Sequence, residues 1–193
     1  FACVFSGTDH LPLAALADRE VTVTNAGGIH APGIAEQVLG ATLSFSRDLL
    51  RARDQQRRGT WQHYQPGEFK GSTVTVVGMG NVGSAVVQRL QGFDVDTIAV
   101  RHTPSKGAAT DEVVGYDSLH EALSVTDYLV LACPLTDETE ELLGAAEFAT
   151  LPPSAVVVNV ARGRIIDTDA LVSALRTESI RGAAIDVTDP EPL

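Results

Sequence analysis

Two residues near the end of the chain have types and positions suited to work on a carboxylic acid. In "VVVNVARGRIIDTDALVSALRTESIRGAAIDVTDPEPL", Arg162 follows one apolar run and Glu191 follows the next. A guanidinium presents a planar fork that can clamp a carboxylate through two parallel hydrogen bonds. A carboxylate such as Glu191 can orient and charge an imidazole. If both runs are strands of one parallel sheet, the two side chains share the edge at which such sheets hold ligands. Spacing alone leaves a second reading open, in which both are ordinary surface residues.

The most informative local motif is "VTVVGMGNVGSAVVQRL". Here Gly78, Gly80 and Gly83 form G-x-G-x-x-G directly after an apolar run and at the opening of a helical pattern. The first glycine permits a tight turn, the second lets the backbone approach a pyrophosphate, and the third allows close helix–strand packing. Free N–H groups near Asn81 and Val82 can then bind phosphates at the helix start. The alternative is a glycine-rich structural turn.

The end of the next run, "TIAVRHTPSK", bears on which dinucleotide fits. An acid there would hydrogen-bond the 2′-hydroxyl of NAD and repel a 2′-phosphate. Arg101 stands there instead, and its fork binds a phosphate or stacks on adenine. His102, Thr103, Ser105 and Lys106 supply further donors. NADP(H) is therefore the expected coenzyme, with NAD(H) still usable. Against this stands an exposed arginine that merely stacks and leaves the ribose unread.

Such residues need a scaffold, and the apolar runs supply one. Runs at 1–5, 21–24, 74–77, 97–100, 128–132, 155–160 and 183–187 read as strands, most of them continuously apolar and valine-rich. That pattern suits parallel strands buried on both faces. Helical patterns at 81–92, 118–124, 145–150 and 168–176 lie between them, so an α/β, doubly wound sheet is expected. Residues 34–61 read as a single long helix, apolar in its first half and charged in its second, about 42 Å long at 1.5 Å per residue. Its arginines (Arg47, Arg51, Arg53, Arg57 and Arg58) suit a solvated or subunit-facing helix end better than a nucleic-acid patch.

Composition narrows the partners. The chain has 193 residues, room for one sizeable domain or one domain and part of another, and a net charge of −11. Its 14 bases include only two lysines, Lys70 and Lys106. This acidity argues against general nucleic-acid binding and resembles cytosolic proteins of halophiles, with ordinary acidic drift as the alternative. No apolar run approaches membrane-spanning length, so no membrane partner and a cytoplasmic location are expected. Cys3 and Cys133 lie in apolar runs and are expected to be buried free thiols. The five histidines have no metal-ligand spacing, so no metal is expected. The start, "FACVFSGTDH", has no basic segment or initiator Met and is expected to be a cut end rather than a signal peptide.

The stretches "SGTDHLPLAAL", "VTVTNAGGIHAPGIAEQVL", "GMGNVG", "ACPLTDETEELLG", "NVARGRIID" and "AAIDVTDPEPL" occur in this order over nearly the whole chain. Together they resemble the D-isomer-specific 2-hydroxyacid dehydrogenases, the NAD(P)-dependent family that includes glyoxylate/hydroxypyruvate reductases. The resemblance implies a Rossmann-like coenzyme domain over residues 29–193, including the long linking helix. Residues 1–28 would be the remnant of a flavodoxin-like substrate domain. It also implies that Arg162 is the catalytic arginine and Glu191 the catalytic acid. Ser6 and Gly7 would bind the acid of a small 2-oxoacid or 2-hydroxyacid substrate through backbone N–H groups, together with Arg162. Cys133, Pro134 and Thr139 would line the adenosine side, Val160 and Ala161 would flank the nicotinamide, and Asp186 would stand at the nicotinamide end. A homodimer through the coenzyme domain is implied as well.

Two departures from the family pattern qualify these expectations. Most of the substrate domain is missing, and the family's catalytic histidine falls beyond the "EPL" segment that closes the chain. A fragment that binds coenzyme but turns over little is therefore expected. The rival functions are a nucleotide-sensing, corepressor-like protein of the same fold and a stand-alone nucleotide-binding module.

Overall fold

The computed structural model describes residues 1–103 and 109–192. Ser105 and Lys106, expected near the ribose, lie outside the described residues.

Six parallel strands form the main sheet: β3 (Thr73–Val77), β4 (Asp96–Val100), β5 (Glu112–Val114), β6 (Tyr128–Leu131), β7 (Val156–Asn159) and β8 (Gly182–Ile185). Their spatial order is β5-β4-β3-β6-β7-β8. From β3 the chain winds outward through β4 to β5, then returns to the other side of β3 for β6, β7 and β8. The order thus reverses between β3 and β6, which is where a doubly wound sheet opens a ligand crevice at its strand C-termini.

Burial on both faces explains the unbroken apolar runs. Val74 and Val76 of β3, Tyr128 and Val130 of β6, and Val156 and Val158 of β7 enter one core cluster. Val77, Leu129, Leu131 and Val157 point into the other. The first face is covered by α2 (Ala31–Ser46) and α4 (Asn81–Leu90). The second is covered by α5 (Leu119–Ser124), α6 (Ala145–Thr150) and α7 (Thr168–Arg176). α7 begins at an Asp167 cap, whose carboxylate accepts from Asp169 N and Ala170 N. At the N-terminus, β1 (Ala2–Cys3), α1 (Leu13–Ala17) and β2 (Thr24–Asn25) make a separate parallel pair.

The strand runs and the helices within the sheet region match the sequence reading to within a few residues. Strand β5 went unread because it is short, opens on Glu112 and is not fully buried, so it carries almost no apolar signal. The single helix over 34–61 is corrected. α2 ends at Ser46, and α3 (Leu49–Arg57) starts after Asp48, which adopts a left-handed φ of 51°. Arg181 causes the break to be satisfied: its Nη2 donates to Phe45 O at 2.6 Å and to Asp48 Oδ1 at 2.8 Å. Tyr64 also donates to Asp48 O. A carbonyl lost from the helical ladder is thus taken up by groups far away in sequence.

Candidate active site

The glycine turn lies at the sheet's switch point. Gly78 follows β3 with φ of 95°, and a Cβ there would come within 2.6 Å of the Cys133 backbone after β6. No side chain fits between the two strand ends. Gly80 has open space around it, whereas a Cβ on Gly83 would strike Gly78 O, so Gly83 serves helix–strand packing. Asn81 and Val82 occupy the first turn of α4, whose N-cap, Gly80, has no side-chain cap. Its leading N–H groups therefore keep their capacity for an anion.

A cleft of about 380 Å³ opens beside this turn. Gly78 and Gly80 line one wall, Arg101, His102 and Thr103 a second, and Cys133, Pro134 and Thr139 a third. Residues expected on an adenosine site thus come together from three strand ends. The buried Thr139 organises its loop: its Oγ1 accepts from Thr136 N at 2.8 Å and donates to Pro134 O at 2.7 Å. Burial pushes the Cys133 thiol up to about 11, so it stays protonated at neutral pH and acts as an apolar wall. Asp111 steadies the next loop by accepting from Thr97 N at 2.8 Å and from Thr97 Oγ1 at 2.7 Å. Those bonds hold its carboxyl below the usual range. Among the cleft residues that the sequence reading missed are Tyr116 and Glu138, the latter with its carboxylate 3.7 Å from His102 Nε2.

A second cleft, of about 750 Å³, holds the acid-handling residues. Ser6, Gly7, Arg162 and Glu191 all line it, joined by Asp9, His10 and His30. The N–H groups of Ser6 and Gly7 donate to no acceptor among the described residues. Arg162 follows β7 on a loop braced by Asn159. This amide is fully buried at the end of an otherwise apolar strand; it donates to Arg162 O at 2.9 Å and accepts from Ala161 N at 3.0 Å. Val160 and Ala161 lie on this loop, the former against the core and the latter buried. Asp186 caps the end of β8 in an exposed position, its N–H donating to Asn159 O. Gly163 packs so closely on the Thr188 backbone that a Cβ would meet Thr188 C at 2.2 Å, which locks the Arg162 loop to the segment carrying Glu191.

Arg162 is already in a hydrogen-bonded cage. Its Nε donates to Asp9 Oδ1 and Oδ2 at 3.2 and 3.1 Å, and its Nη2 donates to Asp9 Oδ1 at 2.7 Å. Its Nη1 donates to Ala161 O at 2.7 Å. The Arg162 hydrogen bonds hold the Asp9 carboxyl below the usual carboxylate range. Asp9 raises the Arg162 pKa further, and the nearby Glu191 charge adds to this. Asp9 and Asn159 were both missed as site residues. Asn159 left a signal, a lone amide in a valine run, but Asp9 left none beyond its place next to Ser6 and Gly7.

The family model for the D-isomer specific 2-hydroxyacid dehydrogenase NAD-binding domain matches residues 39–193. A glyoxylate reductase from Thermococcus gammatolerans is 32% identical over 195 residues, covering 96% of this chain and 58% of that protein. A solved D-isomer specific 2-hydroxyacid dehydrogenase family protein from Aeromonas salmonicida superimposes with a TM-score of 0.91 at 33% identity, over 100% of this chain and 62% of that one. An NADPH-dependent glyoxylate/hydroxypyruvate reductase from Sinorhizobium meliloti, solved with NADP and malonate, gives a TM-score of 0.88 at 30% identity, over 100% of this chain and 61% of that one. The chain belongs to the D-isomer-specific 2-hydroxyacid dehydrogenase family, and most of it is the nicotinamide-coenzyme-binding domain of that family. It spans about 60% of the length of such relatives. Among the described residues, no helix is long and apolar enough to cross a membrane.

Proposed function

We propose that the protein transfers a hydride between NADPH and a small 2-oxoacid, interconverting it with the D-2-hydroxyacid. The observation that carries this reading is the convergence of Arg162, Glu191 and the free Ser6 and Gly7 amides in one cleft at the strand C-termini. The glycine turn and the uncapped start of α4 fit the pyrophosphate of a dinucleotide. The bound nicotinamide coenzyme supplies the hydride. Arg162 and the Ser6 and Gly7 N–H groups hold the substrate carboxylate, and Arg162 polarises the carbonyl to be reduced. Val160 and Ala161 would flank the nicotinamide, and Asp186 would stand at its outer end. Glu191 stands where its charge would raise the pKa of an imidazole that protonates the substrate oxygen. His10 and His30 line the cleft as neighbours of the substrate.

Preference for NADP(H) rests on Arg101, His102 and Thr103, which share one wall of the coenzyme cleft. Glu138 opposes a 2′-phosphate, and His102, 3.7 Å from its carboxylate, is the nearest cationic partner that offsets it. The relative solved with NADP supports the same preference. Residues 1–28 serve as the substrate-domain side of the cleft and residues 29–193 as the coenzyme domain. The protein pairs as a homodimer through the coenzyme domain, a reading supported by Leu49, Leu50 and Trp61, which are exposed around α3.

The test is steady-state oxidation of NADPH and NADH by the complete gene product, with glyoxylate, hydroxypyruvate and pyruvate. Turnover with at least one acid is expected; none with any would favour the nucleotide sensor. Arg101→Asp is expected to lower kcat/KM for NADPH at least tenfold while leaving NADH nearly unchanged. An unaltered coenzyme ratio would remove Arg101 from the ribose site.

A further inference from the structure

The carboxylate that Arg162 already holds belongs to this chain. Asp9 reaches it across 153 residues of sequence and accepts from Nε and Nη2, while Ala161 O accepts from Nη1. Gly7 closes a third side: a Cβ there would lie 1.6 Å from Arg162 Nη2, so the guanidinium rests directly on the Gly7 backbone. A guanidinium has five N–H bonds. Asp9 takes the one on Nε and one on Nη2, and Ala161 takes one on Nη1. One N–H therefore remains on each terminal nitrogen, beside the free Ser6 and Gly7 amides.

We propose that Asp9 is the positioning residue of the acid-binding arginine: it fixes Arg162 against Gly7 so that the two remaining terminal N–H bonds face an incoming carboxylate. This rests on the reading of Arg162 as the residue that binds the substrate acid. A long, flexible arginine left unpaired would sample many rotamers, and the substrate would bear the entropy of ordering it. Asp9 bears that cost before the substrate arrives. It also ties the segment containing β1 to the loop after β7, so the two walls of the cleft are in register before binding.

The pH dependence has a definite sign. A depressed carboxyl stays charged above the ordinary Asp value of about 3.9 and keeps its partner until the pH falls through the lower folded value. The pairing is thus complete across the neutral range and is lost only in acid. The charged and titratable groups facing Asp9 are Arg162, His10, His30 and Glu191. Protonation of either histidine adds positive charge that favours the Asp9 carboxylate and leaves the sign unchanged.

The experiment compares wild type with Asp9→Asn and Asp9→Ser in the complete gene product, using glyoxylate as the acid and NADPH fluorescence to measure coenzyme binding. Both variants are expected to raise the KM for glyoxylate at least tenfold, with coenzyme affinity within twofold of wild type. Wild type is expected to hold its low KM across the neutral range, where Asp9 is charged, and the variants to show a raised KM throughout that range. An unchanged KM in both variants would overturn the proposal. A lowered KM would also overturn it, because Asp9 would then be a competitor for the arginine. Arg162→Gln separates the two readings: if its KM for glyoxylate matches wild type, the assignment of Arg162 itself fails, whatever Asp9 does.

Discussion

Asn159 shows how one buried amide can hold a reactive loop. Its donor and acceptor are both used, on Arg162 O and Ala161 N, at the point where β7 ends. Asn159→Ala leaves both backbone groups without a partner in a buried place, which costs about 2 kcal/mol. For a chain of this length the expected fall in Tm is about 4–8 °C by calorimetry. Asn159→Asp keeps the acceptor for Ala161 N but sets a buried carboxylate oxygen against Arg162 O, and it should lower the Tm at least as far as the alanine. Cys133 illustrates the opposite case. It lines the cleft beside the glycine turn, yet burial keeps its thiol protonated, so its contribution is shape and apolar contact.

Among the elements, the loops after β7 and β8 pack together as one unit. Gly163 makes them do so, because its α-carbon lies against the Thr188–Asp189 backbone with no space for a methyl group. Gly163→Ala would push the Arg162 loop away from the segment bearing Glu191 by a substantial fraction of an ångström. Displacement of this size can cost about 100-fold in rate. The expected result is a fall in kcat/KM for glyoxylate of that order, with coenzyme binding within twofold by fluorescence titration. Unaltered kinetics would show that the two loops need not be in register. The joint between α2 and α3 rests on similar long-range contact: Arg181 holds both Phe45 O and Asp48. The local sequence there reads as continuous helix, since nothing nearby resembles a stop signal.

At the scale of the whole molecule, the acidic balance and the exposed apolar groups point in different directions. A net charge of −11 keeps molecules apart in solution. Trp61, 97% exposed, together with Leu49 and Leu50, marks a region that would gain from being covered. A homodimer through this region is expected to show twice the chain mass by light scattering. Leu50→Glu should shift it to the monomer, because an uncovered carboxylate would have to be buried between the subunits. A wild-type protein that runs as a monomer at all concentrations would end this reading.

The sequence by itself determined the sheet and the coenzyme turn. Valine runs buried on two faces, and glycines spaced for a strand–turn–helix, are specified by neighbours within one strand or one helical turn. That is why β3, β4, β6, β7 and β8, and the glycine turn after β3, were legible from residue order alone. Spacing alone leaves Arg162, Glu191, Ser6 and Gly7 ambiguous; motifs in family order make them candidates, and the structure brings all four to one cleft. Only the tertiary structure decided the break at Asp48, the edge strand β5, the brace at Asn159 and the Asp9–Arg162 pair. Each depends on groups far apart in the chain or on burial that the fold imposes. Asp9 and Arg162 meet across 153 residues, and no local pattern encodes where two such distant segments will cross.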